Sequence, residues 1–144
     1  MITKVTTLTA TQRHRIMTIW LQGNLDAHPF VDPQYWHEMA PTVASQLDTA
    51  TLYLATTSQQ ITGFAGLNGQ DIAGIFVARD HRQRGVGSAL ITRLQADYPR
   101  LTLHVYPQNQ VALAFYQRHH FVAQTTTRDA ATGVPDLKMV WTPS

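Results

Sequence analysis

The segment Val77–Leu90, VARDHRQRGVGSAL, sets a basic turn with two glycines between an apolar β-type run and a helical period. A helix N-terminus leaves backbone N–H groups unpaired, and its dipole favours negative charge there. Glycine lets an anion approach the backbone with no Cβ in the way. Gly85 and Gly87 suit that purpose, and Arg82 and Arg84 add longer-range attraction. Anion–dipole terms are worth about 0.3–2 kcal/mol each, so several amides must act together to hold a ligand. From Arg79 to Arg84, three arginines less one aspartate give +2, equal to the net charge of the whole chain. The segment therefore reads as a site for a small polyanion. It is not a P-loop, because no lysine follows either glycine. Nor is it a dinucleotide fingerprint, because Leu90 stands where a third small residue belongs. On spacing alone, an ordinary strand–turn–helix connection is the plain alternative.

The flanking elements must place that turn. Residues 2–8 are rich in β-branched side chains and read as a strand. Thr9 or Thr11 caps a helix over Gln12–Gln22, with Ile16, Ile19 and Trp20 on one face. His28-Pro29-Phe30 reads as a loop, and Asp32-Pro33 as an N-cap with proline at N1, opening a helix towards Gln46. Thr51–Thr57, Gln60–Leu67 and Asp71–Ala78 are short β-type runs. The polar and glycine-containing breaks between them predict antiparallel neighbours. After Gly85 the period turns helical, with Val86, Leu90, Ile91 and Leu94 on one face until Pro99. Leu101–Tyr106 reads as a strand, Asn109–His119 as a helix, and Phe121–Arg128 and Asp136–Trp141 as a last pair of strands. The order predicts an α/β (α+β) domain over residues 1–144, a mixed sheet with helices on its faces.

Composition narrows the function. A chain of 144 residues with 44% hydrophobic residues is long enough to bury roughly two-thirds of its unfolded surface without staples. Cysteine is absent, which removes disulfides, thiolate metal sites and cysteine nucleophiles. With one glutamate, and with His28, His37 and His119-His120 spaced unlike ligands, no metal is expected. The first residues contain no continuous apolar h-region, and no run approaches the roughly 20 apolar residues of a membrane span. A cytoplasmic protein with no membrane association is the expectation. The small charge excess and the lack of an aromatic-and-basic stripe argue against nucleic acid as a partner.

Two blocks of sequence together resemble the GNAT acetyltransferase superfamily. Its acetyl-CoA loop runs Arg or Gln, two variable residues, Gly, one variable residue, then Gly or Ala; Arg82-Gln83-Arg84-Gly85-Val86-Gly87 matches it. Its second block is matched by Asn109, Ala112, Phe115 and Tyr116, followed by His120-Phe121 where the family has a Gly-Phe pair. Histidine at that glycine position needs a permitted backbone conformation, and it tolerates positive φ better than β-branched residues do. Gln83 also stands where many relatives carry glycine. The segment from His28-Pro29-Phe30 to Tyr35-Trp36 looks like a branch of small bacterial members, some of which acetylate protein amines.

The resemblance implies a central, mostly antiparallel twisted sheet of about seven strands flanked by about four helices. It implies acetyl-CoA as co-substrate, lying in a V-shaped opening between Asp71–Ala78 and Leu101–Tyr106. Pyrophosphate would meet amides from about Arg82 to Ser88, Asn109 and Tyr116 would contribute to cofactor binding, and N–H groups near Phe76 and Val77 would polarise the thioester carbonyl. The acceptor amine, on a small molecule or a protein, would attack directly. Tyr116 is the implied acid for the departing thiolate, since a phenol stays protonated at neutral pH. His104 and Asp71 both match places where relatives carry a base. An unperturbed imidazole is the better matched to neutral pH; a water relay is a third route. His28, Phe30, Tyr35 and Trp36 are implied in the acceptor wall, or else form a hydrophobic brace. A homodimer through the C-terminal strands also fits the resemblance. The competing reading is a non-catalytic acetyl-CoA-binding module.

Overall fold

The computed structural model describes all residues from Met1 to Ser144. The chain runs β1 (Ile2–Val5), α1 (Ala10–Ala27), α2 (Pro33–Gln46), β2 (Thr51–Thr57), β3 (Gln60–Asn68), β4 (Asp71–Val77), α3 (Val86–Asp97), β5 (Leu101–Val105), α4 (Gln110–Arg118), β6 (Val122–Arg128) and β7 (Pro135–Trp141). The strands form a seven-stranded sheet in the order β1-β2-β3-β4-β5-β7-β6. Every pairing is antiparallel except that of β4 with β5, which the α3 crossover makes parallel.

The local signals act as the sequence predicts, with one extension. Thr9 caps α1 in a reciprocal box with Gln12, and Asp32 caps α2 with Pro33 in its first turn. The extension is at the C-terminal end of α1, which continues past Gln22 to Ala27 instead of stopping before Gly23. Gly23 is there for proximity: a Cβ would stand 2.8 Å from Cδ1 of Phe76, so its absence lets the helix lie against β4. Between β2 and β3, Ser58 and Gln59 both take positive φ, 52° and 66°, as a tight primed hairpin turn requires.

Two cores sandwich the sheet. On one face Leu90, Ile91 and Leu94 of α3 are fully buried against Leu101, Leu103 and Met139. On the other, Ile16, Ile19 and Trp20 of α1 and Trp36 of α2 cover Leu52, Leu54 and Phe64. No helix is long and apolar enough to cross a membrane.

The feature that makes a site is a failure of pairing. β4 and β5 are joined only at Asp71 with Thr102 and Ile72 with Leu103. Beyond that point β4 stays paired to β3 as far as Val77, and β5 stays paired to β7 as far as Val105. A register shift between Gly66 and Leu67 interrupts the β3–β4 ladder just where the separation begins. Such a shift bends and twists a strand locally, here turning β4 away from β5. Two free strand edges are left facing each other across a gap.

Candidate active site

A cavity of about 960 Å³ fills that gap. Its walls are the end of β4, the first turn of α3, the end of β5, the inward side of α4 and the α1–α2 connection. It is large enough for an extended ligand of cofactor size.

At one end stands the α3 N-terminus. Gly85 is its N-cap, with φ of +83° and no capping side chain. The first-turn amides of Val86, Gly87 and Ser88 therefore point forward without an intrahelical acceptor. A Cβ on Gly85 would meet no atom within 4 Å, so the space above it is open to a ligand. These residues fit a phosphate-bearing group. Arg82 lines the cavity and is also held in place: its Nε donates to the Val77 carbonyl at 3.2 Å and its Nη1 to Asp26 Oδ2 at 2.9 Å. Arg79 grips the same carboxylate through two bonds of 2.7 and 2.8 Å. The hydrogen bonds from Arg79 and then Arg82 outweigh desolvation and bring the Asp26 carboxyl down to about 2. Arg82 thus ties the loop to α1 and to the end of β4. Arg84 is exposed and does not line the cavity. Gln83 takes a φ of +62°, in the left-handed region that favours glycine.

Along the middle run Gly74–Val77 on one side and His104–Tyr106 on the other. His104 is half exposed, and its Nδ1 lies 3.1 Å from Oδ2 of Asp136 on β7. Burial pushes the Asp136 carboxyl above the ordinary carboxylate range, only partly opposed by His104. The Tyr106 hydroxyl donates to Asp129 at 2.8 Å. Burial would raise Asp129, but that bond and the Ala131 and Thr132 amides hold it below its usual value. The phenol of Tyr106 is pushed up, first by desolvation and then by the Asp129 bond.

The far wall is aromatic. His28 stacks on Trp36 at a centroid distance of 5.3 Å and meets Phe30 and Tyr106 edge-on. Tyr35 packs edge-on against Trp36 at 4.9 Å and is not in the lining, so it braces the wall from behind. On α4, Asn109 caps the helix by accepting from the Ala112 amide, and Tyr116 faces the cavity from a buried position. Desolvation raises the Tyr116 phenol. Ser88 is in the lining and shares a 3.2 Å contact with His119 Nε2 at the end of α4.

Asp71, like Arg84 and Tyr35, is a predicted residue outside the cavity lining. It sits at the closed end of the V, where Oδ1 accepts from Thr102 Oγ1 at 2.8 Å, and it does not line the cavity. Its carboxylate pins the point from which the strands diverge. Conversely Asp129, Asp136 and Tyr106 line the cavity although the sequence did not single them out. Only the β5–β7 register brings Asp136 to His104.

The model of the acetyltransferase (GNAT) family matches residues 13–121. The chain belongs to the GNAT family. As a GNAT enzyme it transfers the acetyl group of acetyl-CoA to an amine. It is 32% identical over 128 residues to the peptidyl-lysine N-acetyltransferase YiaC of Escherichia coli, covering 88% of each chain. The solution structure of apo YjaB from the same organism superposes with a TM-score of 0.84 at 26% identity, over 100% of this chain and 99% of that one. The GNAT fold is shared at greater distance by the PaiA N-acetyltransferase of Thermoplasma acidophilum, solved with coenzyme A, with a TM-score of 0.79, 13% identity and 99% of each chain covered.

Proposed function

We propose that this GNAT enzyme acetylates lysine side chains of peptides or proteins, with His104 taking the proton from the lysine and Tyr116 serving the leaving sulfur. The observation that carries the reading is one continuous cavity joining the uncapped N-terminus of α3 to His104 and Tyr116 through the gap between β4 and β5. The peptidyl-lysine activity named for the similar YiaC supports the acceptor class. Asp129 and Asp136 at the His104 end suit a cationic chain.

Acetyl-CoA supplies an activated thioester when bound. The backbone of Gly85–Ser88 holds phosphate, and the free edge of β4 near Phe76 and Val77 offers N–H groups to the pantetheine arm and to the thioester oxygen. His104 accepts one proton from the lysine ammonium, because only the neutral amine has a lone pair to give. That nitrogen forms the new bond to the acetyl carbon as the carbon–sulfur bond breaks and its electron pair goes to sulfur. The second proton lost by nitrogen ends on the thiol, and the imidazolium returns its own to solvent. Tyr116 faces the cavity that would hold the sulfur. Its phenol lies above its usual range and a thiol near 8.5, so complete transfer from the phenol would run uphill. Its contribution is a hydrogen bond that strengthens as charge develops on sulfur.

We further propose that residues 1–144 act as one domain in the bacterial cytoplasm, which the bacterial source of YiaC and the lack of cysteine support. Dimerisation would use the edge strand β6, exposed at every residue. Light scattering behind a sizing column reports that state directly.

The test of activity is turnover of acetyl-CoA with an N-terminally blocked peptide carrying one lysine, beside the same peptide carrying arginine and beside spermine. Because the protein has no cysteine, a thiol reagent reports released CoA without background. Turnover with the lysine peptide and one acetyl group gained in its mass is the expected result. Turnover with spermine alone would reassign the acceptor to small amines.

A further inference from the structure

Outside the α3 loop and Tyr116, the cavity holds one titratable pair whose two members come from strands far apart in sequence. His104 is on β5 and Asp136 is on β7, and Nδ1 of the first lies 3.1 Å from Oδ2 of the second. The β5–β7 register puts Lys138 opposite His104, so Asp136, two residues away on the same strand, shares that face of the sheet. Asp136 is the better buried of the two, with 18% of its side chain exposed against 49% for His104. The pair therefore has an enclosed carboxylate behind and an open imidazole in front.

We infer that Asp136 is a positioning residue for the reaction: by accepting the Nδ1 proton of His104 it keeps Nε2 of that ring unprotonated and turned to the acceptor amine. The inference rests on the reading of His104 as the base. A carboxylate can only accept a hydrogen bond, so the ring nitrogen facing it must carry the proton. A neutral imidazole has one N–H, and with Nδ1 protonated the lone pair is at Nε2. When His104 takes the lysine proton onto Nε2, the ring becomes a cation already beside an anion, and no group needs to reorganise. A histidine alone on a half-exposed strand would rotate and exchange tautomers in water.

Tyr106 follows the end of β5, two residues after His104, and its hydroxyl is occupied by Asp129. Asp129 acts on Asp136 through space as a like charge and is itself influenced by His104. Lys138 faces His104 by register, and Asp71 of β4 is bound to Thr102. None of these others bonds the imidazole, so the orienting contact belongs to Asp136.

The experiment has two arms. In the first, the histidine ring nitrogens of the ¹⁵N-labelled wild-type protein are recorded at neutral pH, with His104→Gln used to assign the His104 signals. A proton on Nδ1 supports the proposal, and the ordinary Nε2-protonated form overturns it. In the second, Asp136→Asn, Asp136→Glu and His104→Gln are assayed with acetyl-CoA and the lysine peptide, and CoA affinity is measured by calorimetry. Asp136→Asn removes the charge, and its amide can present either a donor or an acceptor to Nδ1, so the tautomer is no longer fixed. Its kcat should fall about tenfold to a hundredfold, with the larger loss at the acidic end of the pH profile and CoA affinity unchanged. Asp136→Glu should recover part of that loss. Normal kcat in Asp136→Asn beside an impaired His104→Gln would overturn the role of Asp136 while leaving His104 as base. Full activity in His104→Gln would remove both.

Discussion

Asn109 is bonded on both sides of its amide: Oδ1 accepts from the Ala112 amide at 3.2 Å, and Nδ2 lies 3.2 Å from Nε2 of His28. The first bond assigns the oxygen, so the second is a donation to the imidazole. Nε2 of His28 is then an acceptor and its ring proton sits on Nδ1, an atom buried without a partner. The N-cap of α4, the helix that carries Tyr116, is thereby fastened to the aromatic wall at the end of α1. The ring held there is neutral: burial among Phe30, Trp36 and Tyr106 brings the His28 imidazole down to about 4.

That burial makes stability fall in mild acid. Below about 6.5 the unfolded chain binds a proton that folded His28 refuses, so stability declines as pH drops from about 6.5 towards about 4. The slope is at most about 1.4 kcal/mol per pH unit, and partial contact with solvent reduces it. His119 is also held below its ordinary value, chiefly by burial, and acts in the same direction. The comparison of Tm against pH for wild type and His28→Gln isolates the His28 share. The variant should lose less stability between pH 6.5 and 4; parallel curves would mean that the folded ring takes up its proton freely.

Replacing Tyr116 with phenylalanine keeps the ring and its edge-on packing on Phe121, 5.6 Å away, while deleting the hydroxyl. We expect kcat to fall about tenfold to a hundredfold with CoA affinity nearly unchanged. Pre-steady-state measurement confines the comparison to the chemical step. An unchanged rate there would reduce Tyr116 to a packing residue.

A methyl group on Gly85 tests the helix terminus. The φ of +83° makes alanine cost about 1–2 kcal/mol of backbone strain, and the new Cβ projects into space that is open in this protein. CoA affinity of Gly85→Ala should drop about tenfold, equivalent to 1.4 kcal/mol. Acetyl-pantetheine, which lacks the pyrophosphate, should bind wild type and variant alike. An equal loss for both ligands would place the damage in the fold rather than at the phosphate.

His120 explains its own departure from the family pattern. It occupies the left-handed position after α4 with a φ of 71°; its amide bonds the Gln117 carbonyl, and that of Phe121 bonds the Tyr116 carbonyl. This is a Schellman arrangement, in which glycine is the usual residue. His120→Gly should be neutral to about 1 kcal/mol more stable, strain relief being offset by greater freedom in the unfolded chain. His120→Val should be about 1–2 kcal/mol less stable than wild type, because a β-branched residue resists positive φ. His120 is exposed, so thermal melts of the two variants read the backbone and little else.

Caps, turns and periodicity were legible because their causes are local. Thr9, Asp32, Gly85 and the Asn109 block each act within one turn of their own helix, and four or five residues of sequence contain the whole interaction. The length of α1 was not legible, since Gly23 looks like a helix terminator until Phe76 is brought against it from β4. The places of Tyr106, Asp129 and Asp136 in the cavity are not legible for a related reason. An aspartate in a turn before a strand is ordinary, and only pairing across more than thirty intervening residues sets Asp136 beside His104.

The sequence by itself determined which elements form, and which helix terminus is left bare for an anion, through backbone geometry and side-chain period. Tertiary structure alone decided where two parallel strands stop pairing. A ladder's end depends on the twist each strand inherits from its other neighbour, and β4 and β5 inherit theirs from β3 and β7. That divergence excludes Asp71 from the lining, admits His104, and opens a cavity between two strands of one sheet.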